Sequence, residues 1–272
     1  MSEQIVQDRN KAGYKPKPEV LIACNTLTGI HGEIYHNHAR LFYCLGRDYP
    51  KFDFKQFFAR RLSIDRFRNM AAKLAIQQGC KYLMFIDDDM KLPHDSFGKL
   101  EAAMRQGYGI VSAFTYIRGY PFEIMSFKYE DPKAKPRRLI NLTNEDLPSP
   151  LGPVVPVEAI GTAVCIISVD VLRKTPGPWF VTGPHHTEDI YFCIKAKEYN
   201  PKLKIGMHTG ISTGHLLDPE CITDGTRDAL LKYHEAFMDP FQVEMAKNKD
   251  RGQAYVEQNV ESLAVADATG SV

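Results

Sequence analysis

Lys81-Tyr82-Leu83-Met84-Phe85-Ile86-Asp87-Asp88-Asp89-Met90 runs an unbroken apolar and aromatic stretch straight into three carboxylates. A short continuous apolar run of this kind predicts a strand buried on both faces, as in a parallel sheet. In open α/β sheets ligands bind at the carboxyl ends of the strands, which is where these acids fall. Three adjacent carboxylates repel one another and require a cation among them. While the extended geometry persists, alternation sends Asp87 and Asp89 to one side and Asp88 to the other. Two hard oxygen donors on one side suit Mg²⁺ or Mn²⁺ carrying a diphosphate. The competing reading is a solvated acidic turn leading into the helix that Pro93 and Asp95 announce.

Working outward, the preceding sequence alternates strand and helix. Residues 20–24 predict a first buried strand, broken by the polar loop 25–29. A helical pattern covers 33–45, and 52–58 reads as a second strand. Ser63 is the expected N-cap of the next helix, whose apolar positions Ile64, Phe67, Ala71, Leu74 and Ala75 keep the helical period until Gly79 stops it. This β-α-β-α-β rhythm predicts a doubly wound, mostly parallel α/β sheet flanked by helices.

Beyond the acids the pattern predicts a helix over 95–106 and strands over 110–114 and 123–129. Residues 130–153 then turn to Pro, Lys, Arg, Asn and Asp, and read as a long loop with Lys133, Lys135, Arg137 and Arg138 close together. Strands are expected at 154–160 and 163–169, and a turn at 176–180 carries the single tryptophan, Trp179. Thr187 is the expected N-cap of a helix through 198. A short strand covers 204–207, with Gly214-His215 just beyond it. Residues 224–247 carry one or two helices, since Asp239-Pro240 reads as a helix start. The N-terminal 1–18 predicts a flexible arm, 219–263 a helical extension and 264–272 a disordered tail.

The 272 residues suffice for a substantial core, and 44% hydrophobic with 25% charged residues is ordinary for a globular protein. A formal charge of +1 gives no general pull toward nucleic acid or membrane. Cys24, Cys44, Cys80, Cys165, Cys193 and Cys221 are scattered without a C-x-x-C pair and are expected to be buried thiols in a reducing compartment. The first 19 residues lack the apolar core of a signal peptide, and no stretch approaches the ~20 apolar residues of a membrane span. A cytoplasmic protein is expected.

Three further features bear on chemistry. Glu188-Asp189 opens a helix, where the dipole favours acids and where a rigid carboxylate makes a good general base. His215 is placed to give an imidazole to a metal held by carboxylates, with His208 as its competitor. Asp65, Arg68 and Asn69 lie near the start of the second helix, and Arg68 is either a surface cation or a phosphate ligand.

Taken in order, Ser63-Ile64-Asp65-Arg66-Phe67-Arg68-Asn69, Phe85-Ile86-Asp87-Asp88-Asp89, Gly161-Thr162-Ala163-Val164-Cys165-Ile166-Ile167, Pro178-Trp179-Phe180, Thr187-Glu188-Asp189-Ile190-Tyr191-Phe192-Cys193 and Gly214-His215 resemble GT-A fold glycosyltransferases. The likeness is to compact family 2-like nucleotide-sugar transferases of bacterial and bacteriophage type, and it spans about residues 19–218. It implies a Rossmann-like GT-A fold with a donor half (19–115), an acceptor half (154–218) and the loop 130–153 able to order over the donor. It further implies transfer of a hexose or pentose from a nucleoside-diphosphate sugar to an acceptor hydroxyl, with Mn²⁺ or Mg²⁺ as cofactor. Asp87 to Asp89 would be the D-x-D element. Asp87, Asp89 and His215 would bind the metal, and Thr26, Asp65, Arg68, Asp87 and Asp88 the donor nucleotide. Glu188 and Trp179 would hold the acceptor, and Asp189 would be the base of an inverting displacement. Similar proteins often carry an acid near the position of His208, so the histidine ligand stays open between His208 and His215. The acceptor stays open among glycan, lipid, protein and modified DNA base. A bacteriophage origin would put the activity in the host cytoplasm.

Two other functions compete. A metal-dependent nucleotidyl or phosphoryl transferase also gathers acids on a sheet, although no Walker-type loop is present. A non-catalytic nucleic-acid module would use Arg60, Arg61, Arg66 and Arg68, although no nucleic-acid motif accompanies them.

Overall fold

The 82–86 run forms the expected strand and lies at the heart of the sheet. A computed structural model describes residues 19–26, 29–184, 186–217 and 220–237. In chain order the elements are β1 (Glu19–Thr26), α1 (Gly32–Asp48), β2 (Asp53–Arg60), α2 (Ile64–Gln77), β3 (Tyr82–Ile86), β4 (Met90–Lys91), α3 (Ser96–Arg105) and β5 (Ile110–Phe114). There follow β6 (Ser126–Tyr129), β7 (Leu139–Asn141), a 3-10 turn (Asn144–Asp146), β8 (Val154–Val157), β9 (Ala159–Ile160), β10 (Val164–Ser168) and α4 (Val169–Lys174). The remainder is α5 (Glu188–Tyr199), β11 (Ile205–Ser212), β12 (Gly214–Leu217), β13 (Glu220–Ile222) and α6 (Arg227–Phe237).

Seven strands form the main sheet in the order β2-β1-β3-β10-β5-β11-β8. β1, β2, β3, β5 and β11 share one direction, while β10 and β8 run against it. This is the mostly parallel α/β sheet expected from the sequence. Two small sheets, β13-β12-β4 and β7-β6-β9, flank it.

Period-two alternation along β3 divides the core. Tyr82, Met84 and Ile86 face Leu41, Leu45, Phe97 and Leu100 of α1 and α3. Leu83 and Phe85 face Phe67 and Ala71 of α2, Leu172 of α4 and Phe192 of α5. Each such side chain contributes about 1.5–3 kcal/mol by leaving water. On the second face a chain of rings links the elements that carry the acids: Phe67 to Phe85 at 5.9 Å, Phe85 to Phe180 at 5.7 Å and Phe180 to Phe192 at 4.6 Å. Aromatic contacts of this geometry add about 0.5–1.5 kcal/mol each beyond their area.

Several boundaries differ from the expectation. The single strand expected at 154–160 is two, because the chain changes sheets at Glu158: β8 pairs with β11 and β9 with β6. Pro156, which has no N–H to give, sits where it is tolerated, on the outer strand β8. The stretch 130–153 is not all loop, since β7 pairs with β6 and a 3-10 turn follows it. A three-residue strand beside charged residues leaves too short an alternation to read. The strand expected at 163–169 stops at Ser168, where α4 begins. His215 lies within β12 rather than beyond a strand. Helix α6 falls within 224–247, whereas the arm 1–18, the Asp239-Pro240 helix start and the tail 264–272 lie outside the described residues. Five of the cysteines are free and buried, as expected. Among the described residues no helix is long and apolar enough to cross a membrane.

Asn69 fastens the 176–180 turn to α2. Its Oδ1 accepts from the Trp179 N–H at 2.8 Å and the Phe180 N–H at 3.2 Å, and its Nδ2 donates to the Phe180 carbonyl at 2.6 Å. Asn69→Ala strands these backbone groups and is expected to cost about 1–3 kcal/mol in urea denaturation. An unchanged midpoint would show that the clip does not hold the turn.

Candidate active site

β3 ends at Ile86, and the chain turns at once. The Asp87 N–H donates to the Ala163 carbonyl at 2.8 Å, and the Met90 N–H closes onto the Asp87 carbonyl at 3.2 Å. β4 then pairs with β12, setting His215 opposite Met90. The extended geometry therefore does not continue through the acids. Asp87 and Asp89, which alternation in an extended chain would send to one side, have different hydrogen-bond partners.

Asp87 faces Arg68. This guanidinium, only 3% exposed, rises from α2 beneath the acids. Its Nη2 reaches the two Asp87 oxygens at 3.4 and 3.3 Å, its Nε donates to Glu188 Oε1 at 3.0 Å, and its Nη1 donates to the Thr162 carbonyl at 3.2 Å. It also lies 4.9 Å above the Phe85 ring. Burial opposes its charge, but Asp87, Glu188 and Asp189 together hold its pKa above the ordinary arginine value. One cation does not neutralise three acids. Burial pushes Asp87 up to about 6 against the pull of Arg68, and burial with the neighbouring charge of Asp189 pushes Glu188 up to about 6.

Asp89 has a different pair of partners. Its Oδ2 stands 3.2 Å from His215 Nε2 and 3.1 Å from Arg118 Nη1. His215 is fixed from behind, its Nδ1 lying 2.8 Å from the Tyr116 carbonyl. Burial works against ionisation of Asp89, yet His215 and Arg118 outweigh it and hold the carboxyl below its usual range. Burial likewise opposes protonation of His215, but Asp89 and the Tyr116 carbonyl raise its pKa on balance.

The remaining candidates divide between this centre and its surroundings. Burial raises the pKa of half-buried Asp88, opposed by the Thr26 hydroxyl beside it. Glu188 and Asp189 open α5 behind Thr187, as expected, and both are buried. Hydrogen bonds to the Asp189 carboxylate, from the Thr187 hydroxyl and from the Ile190 N–H at 2.8 Å, fall on Oδ1. Asp65 is half-buried in the first turn of α2. Trp179 is turned onto the neighbouring helix: its indole N–H donates to the Leu172 and Thr175 carbonyls at 2.9 and 2.8 Å. His208 lies in β11, where burial and the charge of Lys99 lower its pKa. The histidine beside Asp89 is thus His215. Of the basic run, Arg60, Arg61 and Arg66 are exposed, but Arg68 is buried, so the four do not form one surface stripe. Arg118 and the Tyr116 carbonyl were not anticipated; Arg118-Gly119 carries a turn signal after a strand, which marks a loop and not a ligand.

The Asp89–His215 pair fits a divalent cation. The Tyr116 carbonyl only accepts, so His215 Nδ1 donates to it, and Nε2, which donates to Asp89 in the metal-free protein, is the ring nitrogen a cation would take once its proton is lost. The 3.2 Å between Nε2 and Oδ2 is close to the ~3 Å separating adjacent ligands of an octahedral ion with bonds of ~2.1 Å. Among the described residues no group of three or more His, Cys, Asp or Glu side chains is set to hold a metal. Two protein ligands suffice where phosphate and water supply the rest, the usual situation of Mg²⁺.

No family model and no curated protein matches the chain in sequence. Similar solved structures include A197 from STIV, with 18% identity, 75% of this chain and 93% of that chain covered, and a TM-score of 0.49. A putative glucose-1-phosphate thymidylyltransferase from Bacillus anthracis shares 11% identity over 80% of this chain and 96% of its own, with a TM-score of 0.40. TarS 1-349 from S. aureus shares 12% over 84% and 69%, with a TM-score of 0.37. At such identities and TM-scores the likeness carries no inference to the chemistry of this chain.

Two measurements test the buried cluster. Arg68→Met takes the cation from half-buried Asp87 and buried Glu188 and is expected to cost about 3–5 kcal/mol in chemical denaturation. Glu188 has a folded pKa raised from 4.5 to about 6, so the folded state holds the proton more tightly. Its contribution to stability is full below pH 4.5, falls as pH rises to about 6 and is level above. Glu188→Gln should remove that fall, and a Gln variant with the same stability slope as the parent would refute the assignment.

Proposed function

We propose that the chain is a metal-dependent glycosyltransferase that moves a hexose or pentose from a nucleoside-diphosphate sugar to an acceptor hydroxyl. The observation that supports this reading most is that buried Arg68 ties two acid-bearing segments together at the carboxyl end of β3, through Asp87 and Glu188. One is the turn whose Asp89 stands beside His215, and the other is Glu188-Asp189 at the start of α5. The first suits the charged leaving group and the second the acceptor.

Asp89 and His215 would hold Mn²⁺ or Mg²⁺, with Asp87 and Asp88 beside them and Thr26 and Asp65 toward the nucleotide. Bound there, a divalent cation supplies charge neutralisation for the departing diphosphate. Asp189 would take the acceptor proton on Oδ2, since Oδ1 is held by Thr187 and Ile190. The acceptor oxygen then bonds the anomeric carbon as the carbon–oxygen bond to the diphosphate breaks, inverting that centre. Glu188, with Oε1 on Arg68, would orient the acceptor through its other oxygen.

A thermal-shift panel of nucleotide sugars with and without Mn²⁺ tests the reading, because a ligand of the folded state raises the midpoint by mass action. A shift that needs both nucleotide sugar and Mn²⁺ is expected; a panel without any shift contradicts it. With the donor so found, Asp189→Asn should lower kcat by ~10²–10⁴ and barely change donor affinity. Near-normal kcat would remove Asp189 as the base. Release of pyrophosphate in place of nucleoside diphosphate would transfer the chain to the nucleotidyltransferases.

A further inference from the structure

Among the described residues, Arg118 is a charged group at this centre that the roles above leave unused. It stands on a hairpin closed by the Ile117 N–H to the Glu123 carbonyl at 2.8 Å and the Phe122 N–H to the Gly119 carbonyl at 2.9 Å. Arg227 pins that hairpin from outside, its Nε donating to the Phe122 carbonyl at 2.8 Å with its guanidinium 5.2 Å from the centre of the Tyr116 ring. The backbone below Arg118 is therefore tethered, while its side chain is 57% exposed. Only the guanidinium is committed, to the same Asp89 oxygen that His215 meets.

A divalent cation held by Asp89 Oδ2 and His215 would displace Arg118 from that oxygen. His215 stays in place, being 11% exposed and fixed through Nδ1. The Arg118 contact is the weaker, because an exposed ion pair contributes little and costs side-chain freedom. Once released, the guanidinium remains within its own side-chain length of an ion that would carry phosphate oxygens, and its planar fork matches phosphate geometry.

Resting on the metal reading above, we infer that Arg118 is an exchangeable latch: it occupies Asp89 in the metal-free protein and moves onto the diphosphate of the donor once the ion is bound. Its two states make opposite demands, so its removal should help one ligand and harm the other.

The test is calorimetric titration of Mn²⁺ alone into the parent, Arg118→Ala, Arg118→Gln and Asp89→Asn proteins. Inorganic pyrophosphate is then titrated into the Mn²⁺-loaded parent and Arg118 variants. Both Arg118 variants should bind Mn²⁺ about 3-fold more tightly than the parent, the scale of one exposed ion pair. They should bind pyrophosphate about 10-fold more weakly, as loss of a charge-assisted hydrogen bond does. Unchanged or weaker Mn²⁺ binding, or unchanged pyrophosphate binding, overturns the latch. If the parent's Mn²⁺ binding is lost in Asp89→Asn but unaltered in the Arg118 variants, the latch alone falls. If Asp89→Asn binds Mn²⁺ like the parent, or no protein binds it, the metal reading falls with it.

Discussion

Arg68 lies buried on α2, where its guanidinium bonds Asp87 after β3, Glu188 at the start of α5 and the Thr162 carbonyl before β10. Burying such an ion costs several kcal/mol unless its donors are satisfied and charge of the other sign surrounds it. Both conditions are met, with Phe85 beneath the guanidinium as well. The same bonds join three segments that are distant in sequence and fix where two groups of acids stand relative to one another. The ring chain from Phe67 through Phe85 and Phe180 to Phe192 supplies the apolar floor under that arrangement.

The cluster is short of positive charge. Asp87, Glu188 and Asp189 share Arg68, and burial, which Arg68 does not fully offset, raises the pKa values of Asp87 and Glu188. Asp89 escapes the shortage by turning away to His215 and Arg118, and its pKa falls accordingly. The site thus divides its acids between a set gathered on Arg68 and a carboxylate, Asp89, whose two partners are of unequal tenacity. A divalent cation at Asp89 would leave the bonds of Arg68 to Asp87 and Glu188 in place. That division gives separate work to residues that look alike in the sequence.

Much of this was legible beforehand where one physical rule acts alone. The continuous apolar run of β3 signalled burial on both faces, and Thr187 before two acids signalled the start of α5. The strand-end position of the acids followed from the same pattern. Legibility ended where long-range pairing decides. Alternation assigned Asp87 and Asp89 to one side, but the turn demanded by pairing of β4 with β12 separates their partners. The choice between His208 and His215 likewise depended on strand register, which no local signal encodes. Arg68 read as either a surface cation or a phosphate ligand, because helical periodicity marks a buried face by apolar residues and has no sign for a buried ion. The indole N–H of Trp179 is used on the Leu172 carbonyl of α4 and the Thr175 carbonyl just after it, bonds that no local signal encodes.

The direct measurement is an anomalous difference map from crystals soaked in Mn²⁺. A single strong peak within bonding distance of both Asp89 and His215, with Arg118 withdrawn from Asp89 and Arg68 still on Asp87 and Glu188, is the expected result. A peak elsewhere, or no peak while Arg118 stays on Asp89, would contradict a divalent-cation site at the end of β3.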